Sequence, residues 1–444
     1  MRFIFPFTDF LWILQKEEYE NSRYAFWLQR FFFRRGFVKS ERLVYTARAK
    51  ATLVTAVILW LGTFYVIASV LPSFLLIVLL FALWCLAIPL FVLVANALLV
   101  PFMHLAHRRL EARARAQVRA HAPMKVVAIA GSFGKTTSKH FLYELIRYSK
   151  RTQMIPGTVN TTAGIAAWLK KHLAPSTELL IVEMDAYHPG EIAASCRMTP
   201  PDIAIVTNIG EQHMARFKRP ERLVRAIGEV VEGAKPGAHV VADAQTLTAL
   251  APVRGDRSFV EVDTTHLRYD GEEIPARALS SSNRENLARV LFAAELLGIP
   301  KAFVKDSVTH LELPKRRQQV GTILGYEGID DSYNISLSTA RAGLAAGRAF
   351  ADRVHKKLLV VAAGIPELGP EEQDGNVRLG EALAQAADHV AVLGSMFAPD
   401  ILRGLKDAPH TRYARYEDFL AARKDFPASE WVLLLEPTLP DLYY

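Results

Sequence analysis

From Ala51 to Val70 the chain runs twenty residues without a charged side chain, turns at Leu71-Pro72-Ser73, and continues apolar from Phe74 to Ala95. About twenty apolar residues suffice to cross a bilayer as a helix. The pattern therefore predicts an α-helical transmembrane hairpin, with Pro89 as a kink of the kind membrane helices tolerate. After Pro123 the periodicity changes. Short apolar runs predict strands at Val126–Ala130, Leu179–Met184, Ile203–Asn208 and His239–Ala242, and helical spacing predicts helices at Lys135–Tyr148 and Asn283–Gly298. A second set opens near Pro314. It comprises a strand at Gly328–Asp331, a helix through Ala349, strands at Leu358–Ala362, His389–Leu393 and Trp431–Leu435, and a helix at Val377–Ala387. Such alternation predicts two α/β domains with mostly parallel sheets. The divisions fall at 1–50 (an aromatic and basic segment), 51–103 (two transmembrane helices), 104–313 and 314–444.

Charge sharpens the membrane reading. The net charge is +8, yet residues 1–50 hold ten Lys/Arg against five Asp/Glu, and residues 101–125 hold six against one. Basic residues confined to the flanks of an apolar block suit anionic lipid headgroups and argue against a nucleic-acid partner. Arg34, Arg35, Lys39, Arg42, Arg48 and Lys50 on one side, and Arg108, Arg109, Arg113, Arg115 and Arg119 on the other, put both ends of the hairpin in the cytoplasm. The expected location is the inner cell membrane, multi-pass, with the α/β domains cytoplasmic. Phe3 to Phe37 reads as an interfacial helix lying on the bilayer. A secretory signal does not fit, since the apolar block begins fifty residues into the chain. Cys85 and Cys196 make neither a metal-ligand spacing nor a disulfide framework.

The stretch Val126-Val-Ala-Ile-Ala-Gly-Ser-Phe-Gly-Lys-Thr-Thr137 sets a glycine turn between a strand and a helix. That arrangement aims backbone N–H groups and the positive end of a helix at phosphate. Gly131, Ser132, Gly134, Lys135, Thr136 and Thr137 form the expected phosphate loop, with Lys135 neutralising the β- and γ-phosphates and the Thr136 hydroxyl ligating Mg²⁺. One departure stands out: the strict G-x-x-x-x-G-K-[ST] template wants a glycine where Ile129 stands.

The loop closely resembles the [TA]-G-[ST]-x-G-K-T-[ST] loop of the Mur ligases, where the earlier glycine is not required. The resemblance continues in the family's order. Asn160-Thr-Thr-Ala-Gly164 matches N-x-x-x-G. Ile181-Val-Glu-Met and His188-Pro-Gly-Glu-Ile192 look like the branch that adds D-alanyl-D-alanine. Pro201-Asp-Ile-Ala-Ile-Val-Thr-Asn-Ile-Gly-Glu-Gln-His213 resembles P-D-[VI]-A-[VIL]-[VI]-x-N-I-G-x-x-H. Asn283-Arg-Glu-Asn286 resembles N-x-x-N, and Ile329-Asp-Asp-Ser-Tyr-Asn334 resembles I-D-D-S-Y-N.

The resemblance implies a P-loop Mur ligase central domain and a Rossmann-like C-terminal domain. It also implies ATP and Mg²⁺, and amide-bond formation through an acyl phosphate. Glu183 would hold Mg²⁺ with Thr136, His213 would sit near metal and γ-phosphate, and Asn286 would meet adenine. Arg317 would reach phosphate when the domains close, Asp331 would contact ribose, and Tyr333 and Asn334 would line the site. The chain also departs from the family. Where a lysine becomes a carbamate and binds a second Mg²⁺, Arg225-Ala-Ile-Gly-Glu229 has Ile227, so a single Mg²⁺ is expected to suffice. Asn334-Ile-Ser-Leu replaces Asn-Ala-Asn-Pro, and the stretch Leu433-Leu-Leu-Glu-Pro-Thr-Leu-Pro-Asp-Leu-Tyr-Tyr444 stands where the D-alanyl-D-alanine branch has K-G-S-R and a further helix. The membrane hairpin takes the place of the uridine-nucleotide domain.

The expected activity is that of an ATP-dependent acid–amino acid ligase in peptidoglycan or other cell-envelope precursor synthesis. It would join an amino acid or dipeptide to an acceptor that the anchor suggests is lipid-linked. A poly-γ-glutamate-type synthetase and a non-catalytic, membrane-bound nucleotide-binding scaffold are the alternatives.

Overall fold

The structure is a computed structural model that describes residues 6–31, 43–71, 73–157, 159–186, 188–210, 217, 219–253, 255, 257–276, 279–333, 335–366, 368 and 371–437. The chain divides into two units, Met1–Arg109 and Leu110–Leu439.

In the first unit, helices Ala47–Ala68 and Ile88–Ala120 are each long and apolar enough to cross a membrane. Between them lies the shorter helix Phe74–Leu86. The second apolar run is thus two helices, parted at Ala87, next to a proline that cannot donate a backbone hydrogen bond. The hairpin is locked reciprocally: Trp60 Nε1 donates to the Trp84 carbonyl and Trp84 Nε1 to the Trp60 carbonyl, both at 3.1 Å. Each indole donor is thereby satisfied within the hairpin itself. Ile58, Leu61, Tyr65, Phe74 and Leu83 point outward and are more than half exposed. Apolar surface on this scale requires a lipid or protein cover.

The aromatic segment before the hairpin differs from the single interfacial helix expected. It holds two helices, Phe7–Lys16 and Asn21–Phe31. Leu11, Trp12, Ile13, Leu14 and Tyr24 are fully buried within the unit, and the Phe7 ring meets Trp60 edge-on at 5.8 Å. Asn96 ties these helices to the hairpin, donating to the Tyr19 carbonyl and to Asn21 Oδ1 at 2.8 Å while accepting from Arg48 at 3.1 Å. The basic residues Arg34, Arg35, Lys39 and Arg42 lie outside the described residues.

The second unit contains two six-stranded sheets. The first is wholly parallel, in the order β2-β3-β1-β4-β5-β6. Its strands are β1 (Lys125–Ala130), β2 (Thr152–Met154), β3 (Leu179–Glu183), β4 (Ile203–Val206), β5 (His239–Ala242) and β6 (Ser258–Glu261). Side chains alternate across a strand, so both faces of a covered parallel sheet need apolar residues. Val126, Ala128 and Ala130 of β1 accordingly enter one core, and Val127 and Ile129 the other. A small hairpin, β7 (Arg268–Tyr269) and β8 (Glu272–Glu273), follows.

The second sheet has the order β13-β12-β11-β14-β10-β9, with only β9 antiparallel to its neighbour. Its strands are β9 (Gln319–Ile323), β10 (Tyr326–Asp330), β11 (Lys357–Ala362), β12 (His389–Leu393), β13 (His410–Tyr413) and β14 (Trp431–Leu435). Parallel sheets with crossover helices gather their ligand-binding loops at the carboxyl ends of the strands. The phosphate loop follows β1, Glu183 ends β3, and Asp331 and Glu436 follow β10 and β14.

Candidate functional site

β1 leads into Gly131–Gly134, and helix Lys135–Ile146 begins directly after the left-handed Gly134 at φ 82°. Both glycines are required by contact as well as by backbone angle. A Cβ on Gly131 would collide with Thr207 Oγ1, and one on Gly134 with the Asn286 amide. The loop is held by the residues after β4. Asn208 accepts from Ser132 N at 2.8 Å and, through Oδ1, from Phe133 N at 2.9 Å, while Gly210 N donates to Ser132 Oγ at 2.9 Å. Thr207-Asn208-Ile209-Gly210 is thus the clamp that shapes the loop.

Four charged groups converge beside it. Thr136 Oγ1 lies 2.9 and 3.1 Å from the two Glu183 oxygens. Lys139 is 1% exposed, pairs with Glu183 Oε2 at 2.8 Å and donates to the Gly157 carbonyl at 2.6 Å. Lys135 is itself buried. It donates to the carbonyls of Gly131 at 2.7 Å and Ser132 at 3.1 Å, and lies 3.4 Å from Asp185 Oδ2. Burial alone would push the Glu183 carboxyl up, but Lys139, Lys135 and the Thr136 hydroxyl outweigh it and hold the group below its ordinary value.

The Thr136 hydroxyl and the Glu183 carboxylate, hydrogen-bonded at 2.9 and 3.1 Å, are a pair of hard oxygen donors of the kind that Mg²⁺ takes. Among the described residues no cluster of three or more His, Cys, Asp or Glu forms a cage of its own. A cation at this place would therefore draw its remaining ligands from phosphate and water, as Mg²⁺ commonly does.

The residues around the second sheet add a cation and two acids. Arg317 stacks on the Tyr333 ring, 4.0 Å from its centroid, within electrostatic reach of Glu183 and Asp331. Gln318 N donates to Asp331 Oδ1 at 3.2 Å, and Asn283 Nδ2 reaches Gln318 Oε1 at 3.5 Å. Asn286, one helical turn on from Asn283, covers Gly134. The sequence reading thus placed Lys135, Thr136, Glu183, Asn286, Arg317, Asp331 and Tyr333 in what proves to be one neighbourhood. Ser132 and Thr137 are buried beside them, while His213 and Asn334 lie outside the described residues.

That reading did not single out Lys139, Asp185 or Glu436. The first was legible as the residue one helical turn after Lys135, the second as the next same-side residue after Glu183. Ile227 is 4% exposed within the core, and the neighbouring Glu229 accepts from Gly190 N at 2.6 Å and Ala193 N at 3.0 Å. That segment therefore serves packing and the capping of helix Glu191–Met198.

Glu436 is 1% exposed and its Oε1 has no hydrogen-bond partner among the described residues. A Cβ built on Gly343 would stand 3.0 Å from that oxygen and 3.1 Å from Asp331 Oδ2, so the two acids flank one point. Burial pushes Asp331 up to about 7, against the bonds from Gln318 and the charge of Arg317. Burial, then Asp331, push Glu436 well above its ordinary value. An acid that keeps its proton longer in the folded state makes folding less favourable as pH rises past its unfolded pKa. The Asp331 contribution to stability should therefore fall between about pH 4 and pH 7. Glu436→Gln is expected to flatten that slope and to unfold at a higher temperature than wild type in mildly alkaline buffer. Melting temperatures across the range decide it, and an unchanged slope would show that Glu436 does not contribute to it.

Both fold and sequence are similar to those of the Mur ligases. Residues 129–266 match the Mur ligase middle domain. Over a longer stretch the chain is similar to UDP-N-acetylmuramoyl-tripeptide--D-alanyl-D-alanine ligases. It is 26% identical to that of Escherichia coli K12 over 306 residues, 63% of this chain and 66% of that protein. To the Bacillus subtilis 168 enzyme it is 25% identical, over 68% and 70% of the two chains. The match spans just under two thirds of the first relative's length. In fold, MurF from Acinetobacter baumannii superposes with a TM-score of 0.66 at 20% identity, covering 75% of this chain and 77% of that one. MurF ligase from Thermotoga maritima in complex with ADP gives 0.65 at 23% identity, covering 75% and 80%.

Proposed function

We propose that this chain is a membrane-anchored, ATP-dependent ligase that joins a carboxylate to an amine through an acyl phosphate, acting on a cell-envelope precursor at the cytoplasmic face of the inner membrane. The observation that carries the reading is the set of contacts among Thr136, Glu183, Lys139 and Lys135 beside a clamped phosphate loop, with Arg317 facing it from the second α/β domain. The homologues and the ADP-bound structural neighbour support the class of reaction.

A carboxylate is a poor electrophile because oxide is a poor leaving group. Transfer of the γ-phosphoryl group of ATP to the acid supplies phosphate as leaving group, and attack by the neutral amine then forms the amide. Little covalent chemistry falls to the protein, so positioning and charge dominate. Lys135 leaves the Gly131 and Ser132 carbonyls to meet the β- and γ-phosphates. The loop N–H groups hold phosphate oxygens, Asn286 borders the nucleotide, and Arg317 offsets charge on the transferring group. Thr136 and Glu183 would hold Mg²⁺, which would supply positive charge to the phosphates. Lys139 keeps Glu183 ionised and aimed.

The apolar hairpin favours an acceptor that shares the membrane, since tethering raises the effective concentration of membrane-bound substrates. The purified chain is expected to release phosphate with a lipid-linked muropeptide and a D-alanyl dipeptide at least as fast as with the matching uridine-linked muropeptide. Efficient turnover of the soluble nucleotide alone, unaffected by removal of the hairpin from the assay membrane, would contradict the lipid-linked acceptor. Absence of phosphate release with either acceptor would favour a nucleotide-binding scaffold.

A further inference from the structure

A polar cluster lies among the helices of the first unit, and the cation in it, Arg48, lacks a counter-charge. The Arg48 guanidinium stacks on the Tyr19 ring, 4.2 Å from its centroid. Its Nη2 donates to Asn96 Oδ1 at 3.1 Å and, more weakly, to the Tyr19 carbonyl at 3.5 Å. All of these partners are neutral. Among the described residues no carboxylate lies within ion-pair distance of Arg48, and its buried Nε has no acceptor. A guanidinium carries five N–H donors, and here only those of Nη2 are engaged.

The frame around the cation is rigid. Glu18 and Tyr19 take left-handed backbone angles, φ 55° and 62°, without being glycine. Such residues persist only where the surroundings enforce them, often beside ligands. Asn96 is fully buried and fixed by its own bonds to the Tyr19 carbonyl and Asn21 Oδ1, both at 2.8 Å. Gln15 Nε2 donates to the Tyr19 hydroxyl at 3.2 Å, and the same amide pairs with the backbone of Val44. The frame thus aims the guanidinium without neutralising it.

Position along the chain indicates what does. Arg48 is the second residue of helix Ala47–Ala68, at its positive end, and stands three residues before the charge-free run that opens at Ala51. Three helical residues are about 4.5 Å of rise, so the guanidinium lies at headgroup level when the run lies in hydrocarbon. Val54, Ile58, Leu61 and Tyr65 follow on one side of the same helix and are exposed, so acyl chains can cover them. A half-buried cation without an anion at that level is completed by lipid phosphate through charge-assisted hydrogen bonds.

We infer that Arg48 binds the phosphate of an anionic phospholipid, with Tyr19 and Asn96 presenting the guanidinium to it. This rests on the reading that the hairpin anchors the chain in a membrane.

The test is native mass spectrometry of the full chain released from neutral detergent micelles that contain dioleoylphosphatidylglycerol or dioleoylphosphatidylcholine. Wild type should retain one phosphatidylglycerol per chain in preference to phosphatidylcholine, and millimolar inorganic phosphate should not displace it. Arg48→Gln should weaken retention about tenfold, the scale of losing a hydrogen bond to a charged group. Arg48→Lys should recover part of it. Arg109→Gln alters an exposed flank arginine without such a frame and should change retention little. Equal retention of the two lipids by wild type, displacement by inorganic phosphate, an equal loss in Arg109→Gln, or unchanged retention in Arg48→Gln overturns the inference. The wild-type comparison of lipids decides even if Arg48→Gln does not fold. Flotation with phosphatidylglycerol vesicles separates the two levels of the argument. A wild-type chain that neither floats nor retains lipid refutes the membrane anchor itself. One that floats, while Arg48→Gln retains lipid as wild type does, refutes only the role of Arg48.

Discussion

Replacing Lys135 by alanine is expected to cut nucleotide turnover by about a hundredfold or more, the scale on which a single preorganised electrostatic contact acts in a transition state. The loop itself is held by Asn208, Thr207 and Gly210, none of which depends on the lysine, so the phosphate cradle should survive. A loop lysine reads from sequence as an exposed residue with little packing to lose. The structure shows otherwise: Lys135 is 6% exposed and donates to two loop carbonyls. Its loss should therefore also cost about 1–3 kcal/mol of stability, the range for leaving buried polar groups unpaired. Phosphate release measured beside a denaturation curve separates the two effects. Normal hydrolysis by a folded Lys135→Ala variant would mean that the loop does not grip phosphate.

Glu183→Ala should be the more damaging change to the fold. Lys139 and Glu183 are an ion pair with both side chains 2% exposed. Removing the acid leaves Lys139 buried with only the Gly157 carbonyl as partner among the described residues. Breaking a buried pair from one side typically costs about 3–5 kcal/mol, so the variant should unfold at clearly lower denaturant and lose metal-dependent turnover. The pH signature has a definite sign. The Glu183 carboxyl is held below its ordinary value, so its stabilisation is fully present above that value and is lost as pH falls through the depressed one. The double variant Glu183→Ala/Lys139→Met should recover part of the lost stability but none of the activity. A wild-type unfolding midpoint for Glu183→Ala would show that the pair is not formed.

How much of this was legible in the chain depends on how local each feature is. The phosphate loop was, because strand, glycine turn and helix are contiguous, and the template's missing glycine at Ile129 is explained by that residue's place in the core. Both α/β sheets followed from short apolar runs between amphipathic helices. Strand order did not, since β14 inserts between β10 and β11 through contacts that no local pattern encodes. Helix ends moved with their caps: the helix expected from Asn283 starts at Ser281, where the Ser280 side chain accepts from Asn283 N. The N-terminal aromatics looked interfacial because burial against another helix and against lipid leave the same apolar trace. Asp185 and Glu436 escaped notice because lone acids are common, and only the fold sets one beside Lys135 and the other beside Asp331.

The central claim is that the carboxylate is activated by phosphorylation before the amine attacks. Isotope tracing tests it most directly: an acceptor whose carboxylate carries oxygen-18 is turned over with ATP and the amine, and the released phosphate is examined by mass spectrometry. An acyl phosphate transfers one labelled oxygen from the acid to inorganic phosphate in each turnover, and this is the result the account predicts. Unlabelled phosphate accompanying amide formation, or phosphate release indifferent to the acid and the amine, would contradict it.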